Sequence, residues 1–345
     1  MKRYISARQH HLHRRSLWNL YLRHLHAFPL ETSYGAVIGC GSWGRNCARV
    51  YKELPNVNLA AVADTAPAAA EEVAEKHRAK PYTDPAKLLE DPDIHLVSVC
   101  TLTVTHANIA LQAIEHGKHV LVEKPMTDTV GEAETLIRAA EKRGVYLTVG
   151  FVERFNPAVQ EAHRRIAGGE IGEVILAHTR RLSQRPLRIG DVGVVKDLAI
   201  HDIDITSTLF KEQPETVYAT AGSIAHHFED YANINITYGE NRNAFVKANW
   251  LTPRKVRTLT VTGTEGIINV EYITQQLTVE NNRQLIQPNI PHQEPLYLEL
   301  KSVADSILAD IQPPITGRDG LRALQICEAA LESSRADRPV ILSSK

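Results

Sequence analysis

Cysteine is scarce in this chain, net charge is almost absent, and no long apolar run interrupts it. The four cysteines, at positions 40, 47, 100 and 327, show neither CxxC spacing nor the density of a disulfide scaffold. They read as reduced thiols of a cytoplasmic protein. Thirty-nine Lys and Arg against 40 Asp and Glu leave a formal charge of −1, so nothing draws the whole chain to nucleic acid or to an anionic membrane. No stretch approaches the ~20 apolar residues that a bilayer-spanning helix needs. What remains is ordinary globular composition, 43% hydrophobic and 23% charged, over 345 residues. That length carries two domains, each with its own core.

Acid is nearly missing from the segment 1–33, which holds Lys2, Arg3, Arg8, Arg14, Arg15, Arg23, five histidines and the single acid Glu31. A basic, acid-poor start fits a transit peptide. His10, His11 and His13 offer metal ligands, but no second cluster completes a shell, and no metal site is expected. The third reading is an appended segment with no catalytic part; only Met1 and Met126 exist, so a later start needs a non-AUG codon. The segment is treated as a non-catalytic extension.

From Tyr34 the pattern sharpens. Ala36-Val37-Ile38 is a short apolar strand, followed by Gly39-Cys40-Gly41-Ser42-Trp43-Gly44 and a helix with Cys47, Val50, Tyr51 and Leu54 on one stripe. In that order the glycines serve a turn, a close approach to a pyrophosphate and helix-on-strand packing, while the helix start supplies N–H groups to phosphate. Ser42 and Trp43 lie inside the loop. The next strand, 59–63, ends at Asp64, where an acid accepts from a ribose 2′-hydroxyl and repels a 2′-phosphate, favouring NAD over NADP. Strand and helix alternate to residue 150, which predicts a doubly wound parallel sheet, an α/β Rossmann domain over 34–152. Its crevice lies at the carboxyl ends of the strands, so Thr101, Thr103, His106 and Glu123-Lys124-Pro125 are expected to open onto the cofactor.

A second α+β domain is expected over 153–345. A helix is expected near 159–166, then alternation of period two from Ala232 through 280, which predicts an antiparallel meander. Helices are expected at 296–311 and 319–335, with Pro339–Leu342 running back as an extended segment that can pack on the first domain. The open sheet invites a homodimer or homotetramer.

Within Asp191–Asp204, D-V-G-V-V-K-D-L-A-I-H-D-I-D, a helix from Val195 would set Asp197, His201 and Asp204 on one face. An imidazole beside a carboxylate accepts a proton well near neutral pH. Metal-dependent hydrolysis through Asp197, His201, Asp202 and Asp204 is one competitor, and a non-catalytic NAD-sensing protein is another.

Glu123-Lys124-Pro125 at the end of a Rossmann strand, followed well downstream by Asp197-x-x-x-His201-Asp202, resembles the Gfo/Idh/MocA oxidoreductases over about residues 34–342. The resemblance implies that Lys124 contacts substrate and nicotinamide, that His201 accepts the proton of the alcohol being oxidised, and that Asp197 is an orienting or substrate-contacting partner. Val152 to Pro157, the arginines before the helix and Asp191 to Asp204 resemble the branch acting on the 3-hydroxyl of UDP-N-acetylglucosamine. The resemblance accordingly implies that Arg154 and Asn156 meet substrate, and Arg180, Arg181, Arg185 and Arg188 are expected to do so as well, since guanidinium groups suit a diphosphate. A UDP-uronic acid or a free polyol is the alternative substrate.

Overall fold

The computed structural model describes residues 32–185, 191–210 and 212–342, so the basic segment 1–31 and Arg188 lie outside the described residues. Short apolar strands separated by amphipathic helices assemble the first sheet. Its strands are β1 (Ser33–Ile38), β2 (Val57–Ala63), β3 (Lys80–Tyr82), β4 (Leu96–Val99), β5 (His119–Glu123) and β6 (Leu147–Gly150). All pair in parallel, in the order β3-β2-β1-β4-β5-β6. Helices α1 (Ser42–Glu53), α2 (Pro67–His77), α3 (Pro85–Leu89), α4 (Thr103–Glu115) and α5 (Val130–Arg143) connect them. Strand order reverses between β1 and β4, which opens a crevice above their carboxyl ends. The segment holding α2, β3 and α3 escapes the sequence pattern because β3 is a three-residue edge strand and α2 buries only Ala70, Val73, Ala74 and His77.

The second sheet departs from the expected meander. After α6 (Pro157–Ala167) comes β7 (Val174–Gln184), which the chain inserts between two later strands. It lies parallel to β10 (Asn243–Asn249) and antiparallel to β11 (Leu251–Gly263). Beyond them lie β8 (Thr216–Gly222) and β9 (Tyr231–Thr237) on one side, and β12 (Gly266–Glu271), β13 (Gln276–Asn281) and β14 (Leu285–Ile286) on the other. The sheet is therefore mixed, with nine strands. Its inner face, carrying Ala177, Val246 and Ile234, packs into the main core with Ile203 and Ile205 of α7 (Ile200–Leu209). Its outer face exposes His178, Arg180, Tyr218, Phe245 and Lys247.

The last helices return to the first domain. Helix α8 (Pro295–Leu308) packs Leu296, Leu300, Val303 and Ile307 with Val37, Val50, Tyr51 and Leu54 of the first domain. Each such buried side chain contributes about 1.5–3 kcal/mol. Helix α9 (Gly317–Ala336) bridges both halves. Gly320 sits so close to β6 that a Cβ would meet Val149 at 2.7 Å, while Ser333 accepts from the Ala219 amide of β8. The closing strand β15 (Val340–Ile341) joins β8, on the second sheet and not on the first domain. Among the described residues no helix is long and apolar enough to cross a membrane.

Candidate active site

The glycine loop joins β1 to α1 beneath the crevice. Gly39 has φ of +99°, and a Cβ there would meet the Cys100 carbonyl oxygen at 2.6 Å. A Cβ on Gly44 would lie 1.7 Å from the Gly39 carbonyl oxygen, so helix and loop touch backbone to backbone. A Cβ on Gly41 would meet nothing within 4 Å. Gly41 also precedes the first turn of α1, where no side chain caps the helix. Open space beside uncapped, dipole-aligned N–H groups fits a pyrophosphate. Asp64 ends β2 beside the loop, its carboxylate accepting from the Cys40 amide at 2.7 Å and the Ala66 amide at 2.9 Å. Exposed Ser42 and the Trp43 indole complete the rim, with Trp43 donating to Glu123 at 2.5 Å. Residues 39–44 and Asp64 therefore fit an adenine dinucleotide.

Four residues expected to open onto the cofactor, Thr103, His106, Glu123 and Pro125, are instead buried. Thr103 donates its amide to Asp191 at 2.7 Å, so an acid from the second half caps α4. The His106 ring lies between the carbonyl of Pro125, 2.8 Å away, and that of Thr101, 3.1 Å away, and ties together the turns after β4 and β5. Thr101 accepts from the Thr105 hydroxyl at 2.8 Å. Thr103 and His106 thus shape the crevice floor from below.

Lys124 crosses the boundary between the halves. Its ammonium donates to the Asp197 carboxylate and to the Asp197 main-chain oxygen, both at 2.8 Å. The helix expected from Val195 begins as a π-helical turn over Val195–Ala199, closed by the Ile200 amide on the Val195 oxygen. Such widened turns recur at functional sites. Glu229 accepts from the Val195 amide at 3.0 Å, and the Cys327 thiol of α9 reaches the Val195 oxygen at 3.8 Å. The expected stack of Asp197, His201 and Asp204 is therefore not formed. Asp197 serves Lys124, Asp202 serves Arg181 and Asp204 serves Arg154. The three carboxylates reach three separate cations.

His201 stands half-buried, and its Nδ1 has no hydrogen-bond partner among the described residues. Burial, then the positive charges of Lys124, Arg181 and Arg257, press its pKa well below the ordinary 6.5. The ring is a neutral imidazole at neutral pH, with a lone pair to offer.

The arginine expectations need correction. Arg154 grips both oxygens of Asp204, with its Nε 2.6 Å from Oδ2, and reaches Asp319 at 3.2 Å. Arg181 is fully buried, donating to Asp202 at 2.8 and 3.2 Å and to Glu153 at 2.7 Å, with its guanidinium 5.0 Å from the Tyr272 ring centre. Asn156 caps α6 through the Ala158 amide and donates to the Tyr272 oxygen. Arg180, the neighbour of Arg181 on β7, projects to the outer face of the sheet. Period-two alternation alone forbids both from meeting one ligand. Two charged residues went unnoticed in the sequence. Glu153 receives two guanidinium groups, and Arg257 stands across from Arg181 in the ladder between β7 and β11. A charged residue in step with Ala177, Thr179 and Arg181 across the pair would have marked Arg257.

The chain matches the sequence models described as "Oxidoreductase family, NAD-binding Rossmann fold" over residues 35–151 and "GFO/IDH/MocA C-terminal domain" over residues 159–269. It is 31% identical to a scyllo-inositol 2-dehydrogenase (NAD(+)) of Bacillus subtilis, covering 90% of this chain and 96% of that one. It is 29% identical to a UDP-N-acetylglucosamine 3-dehydrogenase of Acidithiobacillus ferrooxidans, covering 86% and 94%. A solved structure of the latter superposes with a TM-score of 0.82 at 27% identity, covering 88% of this chain and 98% of that one.

Proposed function

The chain belongs to the GFO/IDH/MocA oxidoreductase family of NAD-dependent sugar and polyol dehydrogenases, and on that premise we propose that it oxidises the 3-hydroxyl of UDP-N-acetylglucosamine to the 3-keto sugar nucleotide. The observation that carries the reading is the ion pair of Lys124, from the cofactor half, with Asp197 from the other half, four positions before a His201 ring that feels the Lys124 charge. Bound nicotinamide supplies the hydride acceptor. The protein's own part is proton handling and placement. The His201 imidazole takes the hydroxyl proton, help typically worth ~10²–10⁴-fold. Lys124 offers a cation to the developing alkoxide, a contribution of about 3 kcal/mol in a site that excludes water. Asp197 holds the ammonium in place through two acceptors on one residue.

Asp64 supports NAD over NADP, since a carboxylate beside the loop repels a 2′-phosphate. The outer face of the second sheet, with Tyr218 and Phe245 exposed, supports association of two copies. Four free thiols support a reducing, cytoplasmic setting. Residues 1–33 have no assigned part.

The test is NADH formation with UDP-N-acetylglucosamine, UDP-N-acetylglucosaminuronate, inositol and simple aldoses, repeated with NADP. Turnover fastest with UDP-N-acetylglucosamine and NAD is expected. The 31% relative favours a cyclitol as the second reading. Turnover with inositol alone would replace the first by the second, and silence with every hydroxyl compound would return the chain to a non-catalytic NAD sensor.

A further inference from the structure

Six charged side chains, three of which act on the His201 ring through their charge, form an arrangement that balances in number but not in contacts. Lys124, Arg181 and Arg257 supply the cations; Asp197, Asp202 and Glu153 supply the anions. Lys124 has Asp197 to itself. Arg181 takes both oxygens of Asp202 and the closer bond to Glu153 Oε1, at 2.7 Å. Arg257 is left with a single 3.2 Å bond from Nη1 to that same, already occupied oxygen. A guanidinium carries five N–H donors, so most of its fork is uncommitted.

Exposure separates the two arginines further. The Arg181 side chain is 2% exposed and Arg257 is 33% exposed, although they face each other in register across β7 and β11. Ladder pairing across β7 and β11 breaks between Leu251 and Val256, immediately before Arg257. Burial first, and then the charge of Arg181, disfavour the Arg257 cation and outweigh the support it draws from Glu153, Asp202 and Asp197. Its charge is also felt by His201.

We propose that Arg257 is the contact for an anionic group of the substrate, a phosphate or a carboxylate borne by the sugar whose hydroxyl meets His201. The assignment rests on the dehydrogenase reading above and narrows its substrate to an anionic sugar. It moves the anion contact away from the arginines of β7, whose guanidinium groups are turned inward or outward. A planar fork with one anchored arm is the form in which Arg binds phosphate or carboxylate side-on.

Steady-state kinetics of the full chain, Arg257→Gln and Arg257→Lys decide it. The ratio of kcat/KM for UDP-N-acetylglucosamine to that for scyllo-inositol should fall roughly 10- to 100-fold in Arg257→Gln, mainly through KM. Arg257→Lys should recover part of the loss. Lys255→Gln, an exposed cation on the same irregular stretch, should leave the ratio unchanged. Calorimetric titration of NAD-loaded protein with UDP and with glucuronate separates phosphate from carboxylate and needs no turnover. A ratio unmoved by Arg257→Gln, or equal affinities of wild type and variant for both anions, overturns the assignment. Silence with every hydroxyl compound breaks the dehydrogenase reading instead, and the titrations still judge Arg257.

Discussion

Asp197 and Asp202 stand five positions apart in one helical segment, and each holds a cation from elsewhere, yet the pairs serve different ends. Arg181 and Asp202 are 2% and 1% exposed, and Glu153 and the Tyr272 ring enclose the guanidinium. Lys124 and Asp197 are 15% and 7% exposed and join the two halves beside a half-buried imidazole. In the first pair every strong donor is spent internally. In the second, the ammonium donates two bonds to Asp197 and keeps a partly exposed side chain. On the proposed function, two ion pairs of similar length thus divide into a scaffold and a reaction centre by what surrounds them.

The largest effect should come from the reaction-centre side. His201→Ala and Lys124→Ala should each lower kcat by ~10²–10⁴-fold, with NAD affinity and melting temperature close to wild type. Turnover near wild type in both would dissolve the distinction. Next, Arg181→Met should strand Asp202 and Glu153 without their main cation and cost about 3–5 kcal/mol of stability. That corresponds to a drop on the order of 10 °C in Tm, read by calorimetry. A stable Arg181→Met protein with lost activity would put Arg181 on the wrong side of the division.

The smallest effect is in pH. His201 accepts a proton only when neutral, and its pKa lies below 6.5. As pH falls through 6.5 the imidazole stays neutral, so kcat/KM should hold, and it should decline only at lower pH where the ring protonates. An acid limb at or above 6.5 would show that burial and the neighbouring cations do not act on the ring.

The cofactor half was readable because its signals are local. Gly39, at positive φ, and Gly44, against the Gly39 oxygen, answer to geometry within the loop, and Val50, Tyr51 and Leu54 show their stripe in sequence. The other half was harder for a stated reason. Strand β7 owes its central place to β10 and β11, which come much later in the chain, and its Arg180-Arg181 pair reads as a basic patch until the strand is recognised. Lys124, Asp197 and His201 drew notice through their motif, and their surroundings did not. Sequence spacing implied a regular helix that would pair Asp197 with His201. The π-helical turn, held by Glu229 and Cys327, sends the carboxylate to Lys124 instead. Arg154 and Asn156 are expected as ligand contacts through the resemblance of their stretch; only folded neighbours reveal their partners.

Helix α8 lends its apolar stripe to a core that β1 and α1 begin near the opposite end of the chain, sealing Val50, Tyr51 and Leu54 from water. The cofactor-binding half is therefore not a module that can be cut free at the first crossover. Grafted onto another enzyme as residues 34–152, it would carry a raw greasy flank, and any successful exchange between relatives must transplant the late helix together with the early sheet.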